Sequence, residues 1–209
     1  MEAHSTQLVH HGDTVQARLM TSAIALFARK GYAATTVREI VEAAGVTKPA
    51  LYYHFGNKEG IFRTMMGEAL SEFEASAANA LATEGSAEER IVRFLDGMFA
   101  LILEHLDVMR VLDAIYYGPP QGSPPFDFEA FHARFSEMLV RLVREGIESG
   151  EFRSGDPEDL AWAIIGPFEV VRGMSLCHPE MGFGRDRLRR LLKVVFDGVR
   201  MEKEKESEP

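Results

Sequence analysis

Residues 35–62 read TTVREIVEAAGVTKPALYYHFGNKEGIF, and their punctuation decides the fold. Thr36 followed three positions later by Glu39 forms a capping box, in which the hydroxyl takes an orphan N–H of the first helical turn and the carboxylate reaches back. A helix therefore begins at Val37. Val37, Ile40, Val41 and Ala44 recur at helical spacing, while Arg38, Glu39 and Glu42 fall on other faces. Gly45 ends the helix by supplying left-handed backbone, and Ala43 and Ala44 are small enough to let the next helix pack close. Thr47 caps that second helix, and Pro49 lies in its first turn, where a missing N–H costs little. Leu51 and Phe55, four apart, face inward and leave Lys48, Tyr52, Tyr53 and His54 outward. Gly56 closes the helix and Asn57 caps a third, whose first turn holds Lys58. A cation there opposes the helix dipole unless an anion lies nearby, and a phosphate is such an anion. Two short helices, a tight turn and the start of a third make a helix-turn-helix.

The outward face carries two adjacent tyrosines, a histidine and two lysines, with no acid between Thr47 and Lys58. Those residue types suit contacts to phosphates and base edges, and they weigh against an ordinary helical hairpin in an all-α core. Across Ala17–Phe62, and above all in LFARKGYAATTVREIVEAAGVTKPALYYHFGNKEGIF, the sequence resembles the TetR-type one-component transcriptional regulators nearly throughout. Beyond Phe62 only the layout is similar. The resemblance implies an all-α protein of about nine helices: an N-terminal three-helix DNA-binding domain, then a helical domain that dimerises and binds an effector. It further implies that Thr36, Tyr52, His54 and Lys58 contact phosphates, while Thr47, Lys48, Ala50 and Tyr53 lie nearest base edges. The sequence departs from the pattern at Lys48-Pro49-Ala50, where many relatives have small residues, commonly a glycine. Pro49 removes a donor, which puts a main-chain phosphate contact at that point in doubt. The function implied is a homodimeric repressor of double-stranded DNA, released from a palindromic operator by a small molecule. The alternative is a protein that keeps the fold but works through protein–protein contacts.

Composition bounds these readings. The chain of 209 residues is long enough for one sizeable core or two small ones, and 46% hydrophobic residues fit a globular protein. No stretch approaches the roughly 18–20 consecutive apolar residues of a membrane span, and the N-terminus lacks a basic-then-apolar secretory pattern. A cytoplasmic protein with no membrane partner is expected. Cys177, the single cysteine, excludes an intramolecular disulfide framework and reads as a small buried apolar residue. The net charge of −9 is unevenly spread: residues 1–60 hold six basic and five acidic side chains, a balance of +1, leaving 17 basic and 27 acidic, or −10, for the rest. An acidic body with a near-neutral tip implies modest non-specific affinity for DNA.

Nothing points to catalysis. There is no glycine-rich phosphate loop, no G-x-S-x-G elbow and no H-E-x-x-H, so no catalytic residue, cofactor or metal is expected. The pairs Glu88-Glu89 and Glu158-Asp159 sit at helix starts, where the dipole accounts for them. His4, His10 and His11 lie in the N-terminal tail, and His105, His132 and His178 lack the i, i+4 pairing or cysteine neighbours of a metal site.

The remaining chain divides into a flexible tail (1–12), a DNA-binding domain (13–60), a ligand-binding and dimerisation domain (61–201) and a second flexible tail (202–209). A first helix from about 13 to 30 stops at Gly31, and a fourth, about 58–83, turns alanine-rich in its second half. Ser86 and Glu89 form another capping box, opening a helix that reaches about Glu104; a short helix covers 108–117, and GPPQGSPP at 118–125 must be a loop. Helical pattern resumes from Phe128 to Gly150. Asp156 caps, and Pro157 begins, a helix to about Cys177 that Gly166-Pro167 interrupts and kinks. A last helix repeats Leu188, Leu191, Leu192, Val195, Phe196 and Val199. The final two helices are more apolar than a monomer surface requires, which together with the resemblance points to a symmetric dimer pairing them as a four-helix bundle. Met98, Phe99, Tyr116, Phe131, His132, Phe135, Trp162 and Phe168 are candidates to line an apolar effector pocket, with Tyr116, Trp162 and His132 as polar handles; the same residues also fit a plain core.

Overall fold

Local capping chemistry opens several helices in the computed structural model, which describes residues 14–118 and 122–200. Thr14 accepts from the Ala17 N–H at 3.1 Å and opens α1 (Val15–Lys30), two residues later than its apolar pattern alone indicates. Thr36 and Glu39 make both arms of the capping box and open α2 (Val37–Ala44), which Gly45 ends in left-handed conformation with φ 62°. There follow α3 (Lys48–Phe55), α4 (Lys58–Ala82), α5 (Ala87–Glu104), α6 (Leu106–Tyr116), α7 (Phe128–Glu148), α8 (Pro157–Cys177) and α9 (Arg185–Val199). A single 3-10 turn, Pro179–Met181, precedes α9 and carries no apolar periodicity that would have revealed it. The described residues thus form nine α-helices and no β-strand, as the sequence implies, with one isolated bridge between Phe152 and Arg200. Both tails, the tail histidines and part of the 118–125 loop lie outside the described residues.

The chain groups into two compact units. The first includes the N-terminal helices with α4 as far as Ala75, and residues 102–128. Its core draws Leu19, Met20 and Phe27 from α1, Ile40 from α2, Leu51 from α3, Ile61, Phe62 and Met65 from α4, and Val108 and Val111 from α6. This unit is larger than the 13–60 stretch, because α6 packs against α1. Tyr32, just past Gly31, turns back into this core, with ring centroids 5.1 Å from Phe27 and 5.3 Å from Phe62.

The second unit takes α4 from Ser76, α5 to Leu101, and α7 to α9. Its core stacks Phe94 and Phe99 of α5, Phe135 and Leu139 of α7, Ile164 and Phe168 of α8, and Leu188, Leu192 and Phe196 of α9. Its polar joints close helix ends. The Glu151 carboxylate accepts from Ala87 N–H at 2.7 Å and Glu88 N–H at 2.9 Å, supplying two of the four acceptors that the start of α5 lacks. Arg90 donates to the carbonyls of Ala80 and Leu81 at the end of α4 and to Glu145, and this arginine holds the Glu145 carboxyl below its ordinary range. Asp96 of α5, buried, accepts from Arg185 at 3.0 Å and from Arg189 at 2.7 Å, tying α5 to α9; Arg185 is the main cause of its lowered pKa.

Two expectations change here. The helix α8 is not interrupted at Gly166-Pro167 but runs through Pro167. Proline removes one helical hydrogen bond, to the carbonyl of Ala163, an exposed residue, while Ile164, Ile165, Phe168 and Val171 anchor the helix on both sides of it. Cys177 is exposed rather than buried, because it falls in the last turn of α8 on the side turned away from the core. By length and composition α8 is apolar enough to cross a membrane, yet it packs along α9 and buries seven residues in the second unit.

Candidate nucleic-acid interface

The start of α2 and the end of α3 fix what the recognition helix presents. At the turn, Gly45 N–H donates to Glu42 O at 3.2 Å and Val46 N–H to Val41 O at 3.0 Å, so the chain reverses with its carbonyls satisfied. Leu51, fully buried, and Phe55 anchor α3 in the core of the first unit. The opposite face is open: Tyr52 is 52% and Tyr53 85% exposed, Thr47, Lys48 and His54 are exposed, and Ala50 is half-buried. The Tyr53 and His54 rings meet edge to face at 5.0 Å, so these two side chains steady one another on the surface.

Thr47 occupies the cap position in extended backbone, but its hydroxyl makes no capping bond, contrary to the reading of the sequence. Pro49 leaves one fewer N–H to satisfy in that turn, and the hydroxyl stays available to a ligand. Asn57 does cap α4, accepting from Gly60 N–H at 2.8 Å.

Electrostatically the tip is neutralised pair by pair. Glu39 is bound by Lys30 and by Thr36, and those bonds, Lys30 first, hold its carboxyl down at about 2. Glu42 accepts from Arg38 at 2.7 Å and Glu59 from Arg63 at 2.6 Å. The acids flanking the recognition helix therefore each carry a cation, while Lys48 has no ion-pair partner among the described residues. Lys58, expected at a phosphate, also has main-chain acceptors within the protein. Its ammonium donates to the carbonyls of Tyr32 at 2.8 Å and Thr35 at 2.9 Å, and those oxygens supply the negative partner that its place in the first turn of α4 requires.

The residues proposed for an effector pocket divide. Met98, Phe99, Phe135 and Phe168 are buried together in the second unit, with Phe135–Phe168 centroids at 5.6 Å and Phe99–Phe168 at 6.4 Å. Phe94, absent from the candidate set although α5 periodicity turns it inward, joins them 5.6 Å from Phe135. Phe131 is half-buried beside His132, which is exposed. Trp162 is 61% exposed, and Tyr116 lies in the first unit, against Tyr117 and Phe128. Within the second unit, the Trp162 and His132 side chains are exposed and not buried with the aromatic group. Of the single histidines, His105 has Nε2 3.6 Å from Glu72, and His178 faces Glu180 at 3.2 Å.

Comparison with known proteins places this geometry. The family described as "Bacterial regulatory proteins, tetR family" matches residues 19–65, the stretch from α1 into α4. The HTH-type transcriptional repressor KstR2 of Mycolicibacterium smegmatis is 30% identical over 151 residues, covering 70% of this chain and 72% of that protein. The A-factor receptor protein of Streptomyces griseus is 31% identical over 179 residues, covering 82% and 57% respectively. Among solved structures, the ketosteroid transcriptional regulator KstR2 of Mycobacterium tuberculosis superposes with a TM-score of 0.73 at 22% identity, over 93% of this chain and all of that one. With the open α3 face and the sequence likeness in agreement, the chain belongs to the TetR family and is a DNA-binding helix-turn-helix transcriptional repressor rather than an enzyme.

Proposed function

We propose that the protein is a cytoplasmic homodimer that holds a palindromic operator through two α3 helices and leaves it when a small, largely apolar or aromatic effector binds the second unit. One observation carries the DNA half of this reading: α3 is anchored by Leu51 and Phe55 and turns Thr47, Lys48, Tyr52, Tyr53 and His54 outward with no acid among them. Thr47, Lys48, Ala50 and Tyr53 are assigned to base edges, and Thr36, Tyr52, His54 and Lys58 to phosphates. Binding of the DNA flanking the protein's own gene, set against a random duplex across a salt series, tests it. Lys48→Ala is expected to weaken the operator by about 1–3 kcal/mol and to spare random DNA. Equal losses on both duplexes refute that assignment, and equal binding of both duplexes by the unaltered protein favours action through protein contacts.

The dimer reading rests on the outer faces of α8 and α9. Trp162 (61% exposed), Val170 (56%) and Val194 (69%) stand out on helices of the same unit, with the small Ala163 and Gly166 beside them on α8. Large exposed apolar side chains flanked by small ones allow close helix approach to a second copy, and a two-fold pairing gives the spacing of half-sites that two recognition helices need. Trp162→Ala is expected to raise the dimer dissociation constant about thirtyfold or more, the effect of losing roughly 2 kcal/mol at an aromatic anchor. Sedimentation velocity over a dilution series checks this, and an unchanged dimer rules out this face.

For the effector, the buried group of Phe94, Phe99, Phe135 and Phe168 with Met98 offers aromatic edges and a polarisable thioether. Such a lining suits a lipophilic ligand, in keeping with the ketosteroid named for the KstR2 structure.

A further inference from the structure

We propose that Asp96 is a positioning residue for subunit pairing, fixing the roll of α9 about its axis and so the direction in which α9 presents Val194 to a second copy. This takes the pairing of α8 and α9 between subunits as given. The start of α9 lacks the usual means of holding its place. Gly184 stands at the cap position with no side chain to bond the first turn, and the helix opens on Arg185, a cation at the end of the dipole that disfavours one. Its seat is thin as well, since Leu188, Leu192, Phe196 and Val199 are the buried residues of its fifteen.

Asp96 supplies from α5 what α9 lacks. Its carboxylate is buried, and α9 engages both oxygens: Arg185 donates from Nε to Oδ1 at 3.0 Å and from Nη2 to Oδ2, and Arg189 donates from Nη2 to Oδ2 at 2.7 Å. A forked pair at one residue and a further bond one turn along resist both sliding and rotation, where a single ion pair would permit either. Arg187, between the two, turns instead to the ring of Phe183, 5.0 Å away, and the Phe183 carbonyl accepts from Ser175 Oγ of α8 at 2.9 Å. The beginning of α9 is thus held to α5 on one side and to α8 on the other. Successive residues lie about 100° apart around a helix, so a clamp on Arg185 and Arg189 sets Val194 roughly opposite, where it is 69% exposed. The few apolar residues beneath α9 seat it, and the clamp decides which way its outer face looks.

Asp96→Asn keeps the shape of the side chain and removes its charge. This variant, Arg189→Met and the double variant are compared with the unaltered full-length protein by sedimentation velocity over a dilution series at constant salt, with a urea midpoint recorded for each. Expected is a rise in the dimer dissociation constant of about tenfold or more for Asp96→Asn, with no further rise when Arg189→Met is added, since both act through one clamp. Leu139→Val, a core change on α7, gives the contrast: it lowers the urea midpoint but holds the dissociation constant within about twofold. An unchanged dissociation constant for Asp96→Asn overturns the proposal, as do losses that multiply in the double variant. So does an equal rise for Leu139→Val at a similar urea midpoint, which reduces Asp96 to a stabilising residue. A monomeric unaltered protein, or a dimer indifferent to Trp162→Ala, would instead bring down the pairing face on which the role of Asp96 depends.

Discussion

Gly60→Ala is expected to destabilise the DNA-reading unit by about 2–4 kcal/mol and to weaken operator binding with it. A Cβ at Gly60 would lie 1.8 Å from the carbonyl oxygen of Phe55 and 2.9 Å from its carbonyl carbon. Those are main-chain atoms of the last residue of α3, so no rotamer change relieves the overlap; the first turn of α4 must draw away from α3. Lys58 and Asn57, which tie that turn to its surroundings, move with it. A second glycine of the same helix gives the control, since a Cβ at Gly67 meets nothing within 4 Å. Gly67→Ala should be neutral or stabilising by up to about 1 kcal/mol, the usual helix-propensity gain. Urea unfolding of both variants decides: similar stabilities at the two positions would show that the α3–α4 junction is not closed as described.

Phe152→Ala is expected to cost about 3–5 kcal/mol, confined to the second unit. Phe152 is fully buried in the turn after α7 and stacks on Phe196 of α9, with centroids at 5.8 Å and planes 22° apart. Its ring fills the space beside Gly146, where a Cβ would come within 2.4 Å of the Phe152 ring. Removing the ring leaves a cavity between two helices, and Gly146 has no side chain to occupy it. Hydrogen exchange resolved by segment checks the outcome. Amides of α9 lose protection, whereas those of α1 and α2 keep theirs; equal loss in both units would contradict two separate cores.

The helix-turn-helix was legible because its signals are local. The Thr36–Glu39 box, the glycines at 45 and 56 and the Leu51–Phe55 pair act within one or two helical turns, where a residue's neighbours are fixed by its number. The same holds for Ser86 with Glu89 and for Asp156, which the structure confirms as caps. Legibility fails where a side chain chooses among partners far along the chain. Lys58 finds Tyr32 and Thr35 at separations of 26 and 23 residues, and a phosphate satisfied the sequence argument equally well. Aromatic composition could not distinguish Phe168, packed inward, from Trp162, six positions earlier on the outward face of α8. The short helix read at 108–117 carried no sign that α1 would cover Val108 and Val111. Candidate contact residues thus emerge from the sequence as sets of types, and their division into buried and exposed needs the fold.

The cap that Glu151 places on α5 also has a temporal meaning. Its bonds to Ala87 and Glu88 span 64 and 63 residues, and the paired bonds from Arg200 to Glu88 span 112. A chain leaving the ribosome carries the first turn of α5 long before either acceptor or cation exists to fasten it, and closing loops of that length is entropically costly and slow. The first unit has its last buried core residue at Val111, and Phe126 packs against that core. The second waits for Phe196 and Arg200, so the unit that carries α3 has all its residues by 128 while the part assigned here to sensing and pairing closes last, with Phe152 and the apolar face of α9 the final surfaces to leave water.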